Sequence, residues 1–353
     1  MSQSSYKARL CAASALNLPG LLPKTIRLKG LALKVTERCN SRCATCDLWK
    51  EDDEDPVTTE RSQRLLVEAR DLGISSLELT GGEPLLREDL FEILDVCKGD
   101  WFSSVALATN GLLLEQFADR INDSIINRVA ISLNGVGETH DQTRGIKGGY
   151  QAVIDALPSI KKPVTLRGLF TKEIVPEMEE MIAFCKENGY DYAIGLPEAS
   201  SYWCSSERVR EYVEAHWPSE DEISKGLEIL SRHGIVDAIH LANMREYLTN
   251  RRFNFNHCMQ GYLNAYISRG DVYTGCYVFK PVGSILESDL QTILDSQAWL
   301  DSAKKMYKLN CPLCTCGFAG SARYKSPWRM VASRVCSRIM GGVSKPTDAP
   351  AVE

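Results

Sequence analysis

No stretch of this sequence is apolar for long enough to span a bilayer. The opening MSQSSYKARLCAASALNLPGLL does not make a secretory leader: Asn17, Pro19 and Gly20 break its apolar stretch, and no clear cleavage site follows. Positive charge is not in excess. The 41 Lys and Arg against 46 Asp and Glu leave a net charge of −5, which gives no general attraction to nucleic acid. Internal repeats and low-complexity linkers are missing too. With 44 % hydrophobic and 25 % charged residues, disordered and collagen-like classes are excluded. The expectation is a cytoplasmic protein with no transmembrane segment and no nucleic-acid partner, long enough for one large domain and a small one.

Cysteine, by contrast, is plentiful. There are thirteen: Cys11, Cys39, Cys43, Cys46, Cys97, Cys185, Cys204, Cys258, Cys276, Cys311, Cys314, Cys316 and Cys336. A secreted disulfide scaffold would be short and would carry a leader. Here two tight clusters stand among scattered singles. In a reducing compartment such clusters mean metal more often than disulfide.

From about Leu31 to Leu196 short apolar runs alternate with longer helical patterns. The strand-like runs are Leu31–Val35, Ser76–Thr80, Ser104–Ala108, Arg128–Leu133, Val164–Phe170 and Tyr192–Leu196. Helical patterns lie at Glu60–Leu72, Leu90–Cys97, Leu112–Ile121, Tyr150–Ile160, Glu177–Asn188, Glu207–His216 and Asp221–His233. This alternation predicts an α/β fold with a parallel sheet. The runs are too apolar to leave one face wet, which also suits parallel strands. Six units fit an open, partial (β/α)6 TIM-like barrel, with chemistry at the C-terminal ends of its strands. Beyond His233 the pattern changes. A hairpin is predicted from Tyr262–Ser268 and Val272–Tyr277, then a helix over Leu290–Met306. The domain reading is an N-terminal extension (1–30), the barrel (31–233), a small domain (234–320) and a basic tail (321–353).

The first cluster reads VTERCNSRCATCDLW, with Cys39, Cys43 and Cys46 spaced C-x3-C-x2-C directly after the first predicted strand. Three thiolates on one short loop can wrap three corners of an iron–sulfur cube. The fourth iron is then open, as a coordination position is in catalytic metal sites. Zinc is the alternative. It favours paired C-x2-C knuckles with a His or Cys partner, and none is nearby in sequence.

In this spacing and placement the sequence resembles the radical S-adenosylmethionine (SAM) superfamily. The resemblance implies a [4Fe–4S] cluster whose open iron chelates SAM, and reductive cleavage of SAM to a 5′-deoxyadenosyl radical that takes a hydrogen atom from substrate. One departure is Thr45, where the family usually has an aromatic residue. Gly81, Gly82, Glu83 and Pro84 are similar to the family's GGEP motif, which implies contact with the SAM ammonium. A plain turn with Glu83 and Pro84 opening a helix is the competing reading. Thr109–Asn110–Gly111 closes the third strand. Ser132 and Asn134 resemble a ribose-contacting pair, hydroxyl and amide. His140, in HDQTRG, reads as a structural loop residue. Arg167 is a candidate for the SAM carboxylate, or for a structural ion pair. Ile194 stands where the family packs adenine. The resemblance spans about residues 30–200.

The second cluster is Cys258 and Cys276 flanking the predicted hairpin, then Cys311, Cys314 and Cys316. The stretch before CPLC resembles the SPASM/twitch class of C-terminal domains. That resemblance implies an auxiliary [4Fe–4S] cluster on Cys258, Cys276, Cys311 and Cys314, with Cys316 spare or displacing Cys314. A zinc ribbon is the alternative. Cys97 and Cys185 read as core. Cys204 is a candidate hydrogen-atom donor, against the plainer reading of an idle thiol, and Tyr202 and Trp203 stand beside it. The basic tail reads as an amphipathic helix on an anionic surface, or as a cover for the barrel.

The resulting expectation is a radical SAM oxidoreductase. Its auxiliary cluster would accept an electron from a small sugar-like or aminocyclitol substrate, and a flavodoxin- or ferredoxin-type protein would supply reductant. Ribosomal peptide maturation is the second reading, against which stand the few residues before the first strand. Redox-neutral epimerisation with Cys204 as donor is the third. An iron–sulfur electron carrier and a zinc interaction module are the non-enzymatic rivals.

Overall fold

The computed structural model describes residues 3–16, 18–50, 55–197, 206–251, 257–276 and 278–309. Helix α1 (Gln3–Leu16) comes first. Strands β1 (Gly30–Thr36), β2 (Ser76–Gly81), β3 (Ser104–Thr109), β4 (Arg128–Ser132), β5 (Val164–Leu169) and β6 (Asp191–Gly195) then lie side by side in chain order, all parallel. Between them run α2 (Thr59–Asp71), α3 (Leu90–Leu94), α4 (Leu114–Asp123), α5 (Glu138–Arg144), α6 (Gly149–Ala156) and α7 (Met178–Glu187). Helices α8 (Glu207–Ala215), α9 (Glu220–Arg232) and α10 (Ala238–Asn250) follow β6. This is the open, partial barrel that the alternation predicts.

Each strand has two unlike faces. Leu77, Leu79, Val105, Leu107, Val129 and Ile131 are buried in the core. The other face carries small or polar groups: Ala32 pairs in register with Glu78, Glu78 with Ala106, and Ser132 with Arg167. A full TIM barrel fills its interior with branched side chains. Alanine and serine at these positions leave room instead. Outside, α9 is started by a reciprocal cap between Ser219 and Glu222. It buries Ile223, Leu227 and Leu230, each of which contributes about 1.5–3 kcal/mol relative to exposure.

After α11 (Gln260–Leu263) the chain enters β7 (Asn264–Ser268), which pairs parallel with β1 on the side away from β2. Strands β8 (Asp271–Tyr273) and β9 (Gly283–Ser284) continue the same sheet antiparallel. The predicted hairpin is therefore an extension of the barrel sheet, and it starts at Asn264, since Tyr262 belongs to α11. The helix predicted over Leu290–Met306 is two, α12 (Leu290–Leu294) and α13 (Gln297–Tyr307). Ser296 caps the second by accepting from the Trp299 amide at 3.1 Å, and a new cap is a new start.

Helix α1 was not legible as structure. It docks onto the last third of the described chain. The Tyr6 hydroxyl donates to the Tyr262 carbonyl at 2.7 Å, and the Tyr307 hydroxyl to the Ala13 carbonyl at 2.8 Å. Leu10, 1 % exposed, lies in the main core. Replacing it, Leu10→Ala, is expected to cost about 2–5 kcal/mol, read as a lowered urea midpoint. An unchanged midpoint would show that α1 is an appendage.

Candidate functional site

The loops after β1, β2, β3 and β4 all leave the C-terminal ends of parallel strands, so they share one rim. The loop after β1 carries Cys39, Cys43 and Cys46, and β1 ends in a register irregularity between Lys34 and Thr36. All three cysteines line a single cavity of about 240 Å³, with Thr80 and Gly81 at the end of β2, Gly82 just after it, Asn110 after β3, and Ser132 at the end of β4. None of the described cysteines is in a disulfide.

The cysteine loop is held from three sides. On the first, the GGEP segment binds its base: the Gly82 amide donates to the Thr36 carbonyl and the Glu83 amide to the Arg38 carbonyl, both at 2.8 Å. A Cβ on Gly82 would stand 2.2 Å from the Arg38 oxygen, so only glycine permits this approach. On the second side, the Arg42 amide donates to the Arg144 carbonyl at 3.1 Å, and the Ala44 amide to the Thr143 carbonyl at 3.0 Å. Gly145 caps α5 there with φ +66°, and its Cβ would meet the Arg42 oxygen at 2.3 Å. On the third, Arg208 of α8 donates to the carbonyls of Ala44 (3.0 Å) and Cys46 (2.7 Å) and to the Asp47 carboxylate (2.5 Å). Hydrogen bonds from Lys50, Ser206 and Arg208 overcome burial and pull the Asp47 carboxyl down to about 2.

The sulfurs are partly prepared for negative charge. The Ser41 amide points at Cys39 Sγ and the Leu48 amide at Cys46 Sγ, each at 3.4 Å. Burial pushes the Cys39 thiol up, against the Ser41 bond and the charge of Arg144. Three thiols on one cavity, two already accepting backbone N–H groups, are a donor set that fits an iron–sulfur cluster. Among the described residues, no three His, Cys, Asp or Glu side chains stand close enough to hold one metal ion.

Glu83 is not at the cavity surface. It is fully buried; one carboxylate oxygen accepts from the Leu85 amide (3.1 Å) and the Thr109 hydroxyl (2.8 Å), the other from the Asn110 amide (2.7 Å). Burial raises its carboxyl despite these donors. Its visible work is to tie the end of β3 to the GGEP turn, and Pro84 opens a short 3-10 turn behind it. Arg167, a candidate for the SAM carboxylate or for a structural ion pair, stands 3.5 Å from the Glu78 carboxylate. That pair lines a second cavity of about 450 Å³ inside the barrel, which shares Thr80, Ala108 and Tyr266 with the first. Asn134 and Ile194 are also off the first cavity's lining; Ile194 packs on the core. His140 is structural, as expected. Its Nδ1 accepts from the Asn134 amide at 3.1 Å, and burial lowers it to about 4, so it is neutral at pH 7. Cys97 and Cys185 are core, as expected, and burial pushes them up to about 11 and 12.

Cys258 and Cys276 come together in a small buried group with Met306, against which Leu309 packs. Cys204, Cys311, Cys314, Cys316 and the basic tail lie outside the described residues. Sequence reasoning missed Arg208 and Arg144. Asp47, directly after the third cysteine, was the one local hint that a cation is needed, but Arg208 is 161 positions away.

Residues 33–165 match the family model described as the radical SAM superfamily. A pre-heme d1 synthase of Dinoroseobacter shibae is 31 % identical over 163 residues, covering 44 % of this chain and 40 % of its own. A probable GTP 3′,8-cyclase of Metallosphaera sedula is 33 % identical over 172 residues, covering 46 % and 54 %. The chain thus spans about half the length of these curated relatives. Among solved structures, SuiB of Streptococcus suis bound to S-adenosylmethionine superposes with a TM-score of 0.58 at 18 % identity, over 76 % of this chain and 66 % of that one. No described helix is long and apolar enough to cross a membrane. The three clustered cysteines thus fall within the segment that matches the radical SAM superfamily, a family that binds a [4Fe–4S] cluster and SAM.

Proposed function

We propose that Cys39, Cys43 and Cys46 hold a [4Fe–4S] cluster at three corners, and that the chain spends SAM at the open iron to begin radical chemistry on a substrate C–H bond. The observation that carries this is the convergence of three thiols from one clamped loop on one rim cavity, beside Gly81 and Gly82. When bound, the cluster supplies the electron that splits SAM into methionine and a 5′-deoxyadenosyl radical. The chain's own part is orientation and shielding. Backbone bonds from Gly82, Glu83, Thr143 and Arg144 fix the thiols, and Ser132, which lines the cavity, offers a hydroxyl of the type that bonds sugar hydroxyls. The adjoining barrel cavity, lined by Ala32, Ala108, Gln260, Asn264 and the Glu78–Arg167 pair, suits a small polar substrate.

We also propose an auxiliary cluster on Cys258, Cys276, Cys311 and either Cys314 or Cys316. Its support is the meeting of Cys258 and Cys276, with the Cys258 amide donating to the Tyr307 carbonyl at 3.3 Å. Leu309 packs on that group, and Cys311 is two residues on, at most about 7 Å of chain. Residues 234–320 would form its domain. With such an acceptor the reaction is a two-electron oxidation, of which a sugar-like or aminocyclitol alcohol is one fitting substrate. The relatives named as a GTP 3′,8-cyclase and a pre-heme d1 synthase lend that substrate no support. A peptide substrate is the other class. The electron would come from a flavodoxin- or ferredoxin-type donor in a reducing cytoplasm.

Two measurements test these readings. Anaerobically reconstituted, dithionite-reduced protein is expected to release 5′-deoxyadenosine from SAM, and Cys43→Ala to lose that release and about half of the iron. Retention of both would defeat the assignment of the first site. Cys276→Ser is expected to lower iron from about eight to about four per chain while SAM cleavage persists. Unchanged iron would remove the auxiliary cluster.

A further inference from the structure

We infer that Arg208, with Asp47, is a positioning pair that sets the geometry and the electrostatic environment of Cys46 as a cluster ligand; this rests on the cluster reading of the three cysteines. Cys43 and Cys46 bracket a turn in which the Cys46 amide donates to the Cys43 carbonyl at 3.4 Å. Two further carbonyls of this turn, those of Ala44 and Cys46, both accept from the one guanidinium of Arg208. The Cys46 carbonyl also accepts from Trp49 Nε1 at 2.9 Å, and the Arg208 guanidinium stands 6.0 Å from the Trp49 ring. A planar fork with several fixed donors makes such a set of bonds at once, and an ammonium does not.

The pair is anchored at both ends. Asp47 takes Arg208 Nε at 3.1 Å and Nη2 at 2.5 Å, and Lys50 Nζ at 2.8 Å. Ser206 caps α8, its hydroxyl accepting from the Val209 amide at 3.3 Å, and also bonds Asp47. A carboxylate at the start of a helix is favoured by the helix dipole. Cys46 therefore answers to α8 as well as to its own loop. Neither loss is isolated: removing Arg208 leaves the Asp47 carboxylate next to Cys46 with less positive charge against it, and removing Asp47 frees the guanidinium from its main restraint.

The test uses the full chain, reconstituted anaerobically as wild type, R208Q, R208K and D47N. The readouts are iron content, the rate of iron loss to a chelator, and the midpoint potential of the EPR signal that changes when SAM is added. R208Q is expected to lose iron about tenfold faster and to shift the SAM-responsive signal to lower potential. D47N is expected to shift it to higher potential. R208K keeps the charge without the fork, so it should restore the potential but not the slow iron loss. Should R208Q fail to fold, the faster iron loss of R208K at unchanged potential and the raised potential of D47N still decide. Variants that match wild type in potential and iron loss overturn the inference alone. A wild type whose signal ignores SAM overturns the cluster reading itself.

Discussion

The structure depends on a backbone clamp around one short loop. An open-sided cluster site has to present three thiols in fixed relation while leaving one face clear. Loops are the least restrained parts of a fold, so the restraint has to come from neighbours. Here it comes mostly from main chain. The β2 turn holds Thr36 and Arg38, the end of α5 holds Arg42 and Ala44, and α8 holds the turn at Cys46. Backbone partners have no rotamers to lose, so the loop is ordered with little further entropy cost. The glycines at 82 and 145 follow from this, since a side chain at either would displace the loop it steadies.

The barrel makes the clamp possible. Parallel strands deliver four successive loops to the same rim, so segments more than a hundred residues apart in sequence meet there without long detours. The lumen below stays open because Ala32, Ala106, Ala108 and Ser132 turn small groups inward while leucine, valine and isoleucine face the helices. Stability and cavity are thus assigned to opposite faces of the same strands. The Glu78–Arg167 pair, half-exposed at 44 % and 48 %, is affordable in that lumen because solvent still reaches it.

Strand order and the identity of the cysteine loop were legible because they are written locally: alternation for the strands, spacing for the thiols. Contacts across the chain were not. Nothing near Asn264 says that β7 will pair with Gly30, and nothing in α1 says that Tyr6 and Ala13 will meet Tyr262 and Tyr307. The hydrogen bonds that Glu83 makes were not legible either, for the same reason. A motif shows which residue type recurs, but whether its carboxylate faces a ligand or its own neighbours depends on what β3 brings to it. Here Thr109 and Asn110 bond both of its oxygens.

The carboxylates also set the balance of charge at the rim. Lys34 pairs with Glu37, Arg87 with Asp89 and Arg208 with Asp47, so most of the cations around the loop have a carboxylate at hand. Arg144 is placed differently. Its side chain lines the cysteine cavity, its charge acts on Cys39 and on Glu83, and its Nε has no hydrogen-bond partner among the described residues. A buried donor left in that state carries a cost until something negative arrives. The Arg42 amide bonds the Arg144 carbonyl, so the main chain at the end of α5 is tied to the cysteine loop while the guanidinium lies on the cavity wall.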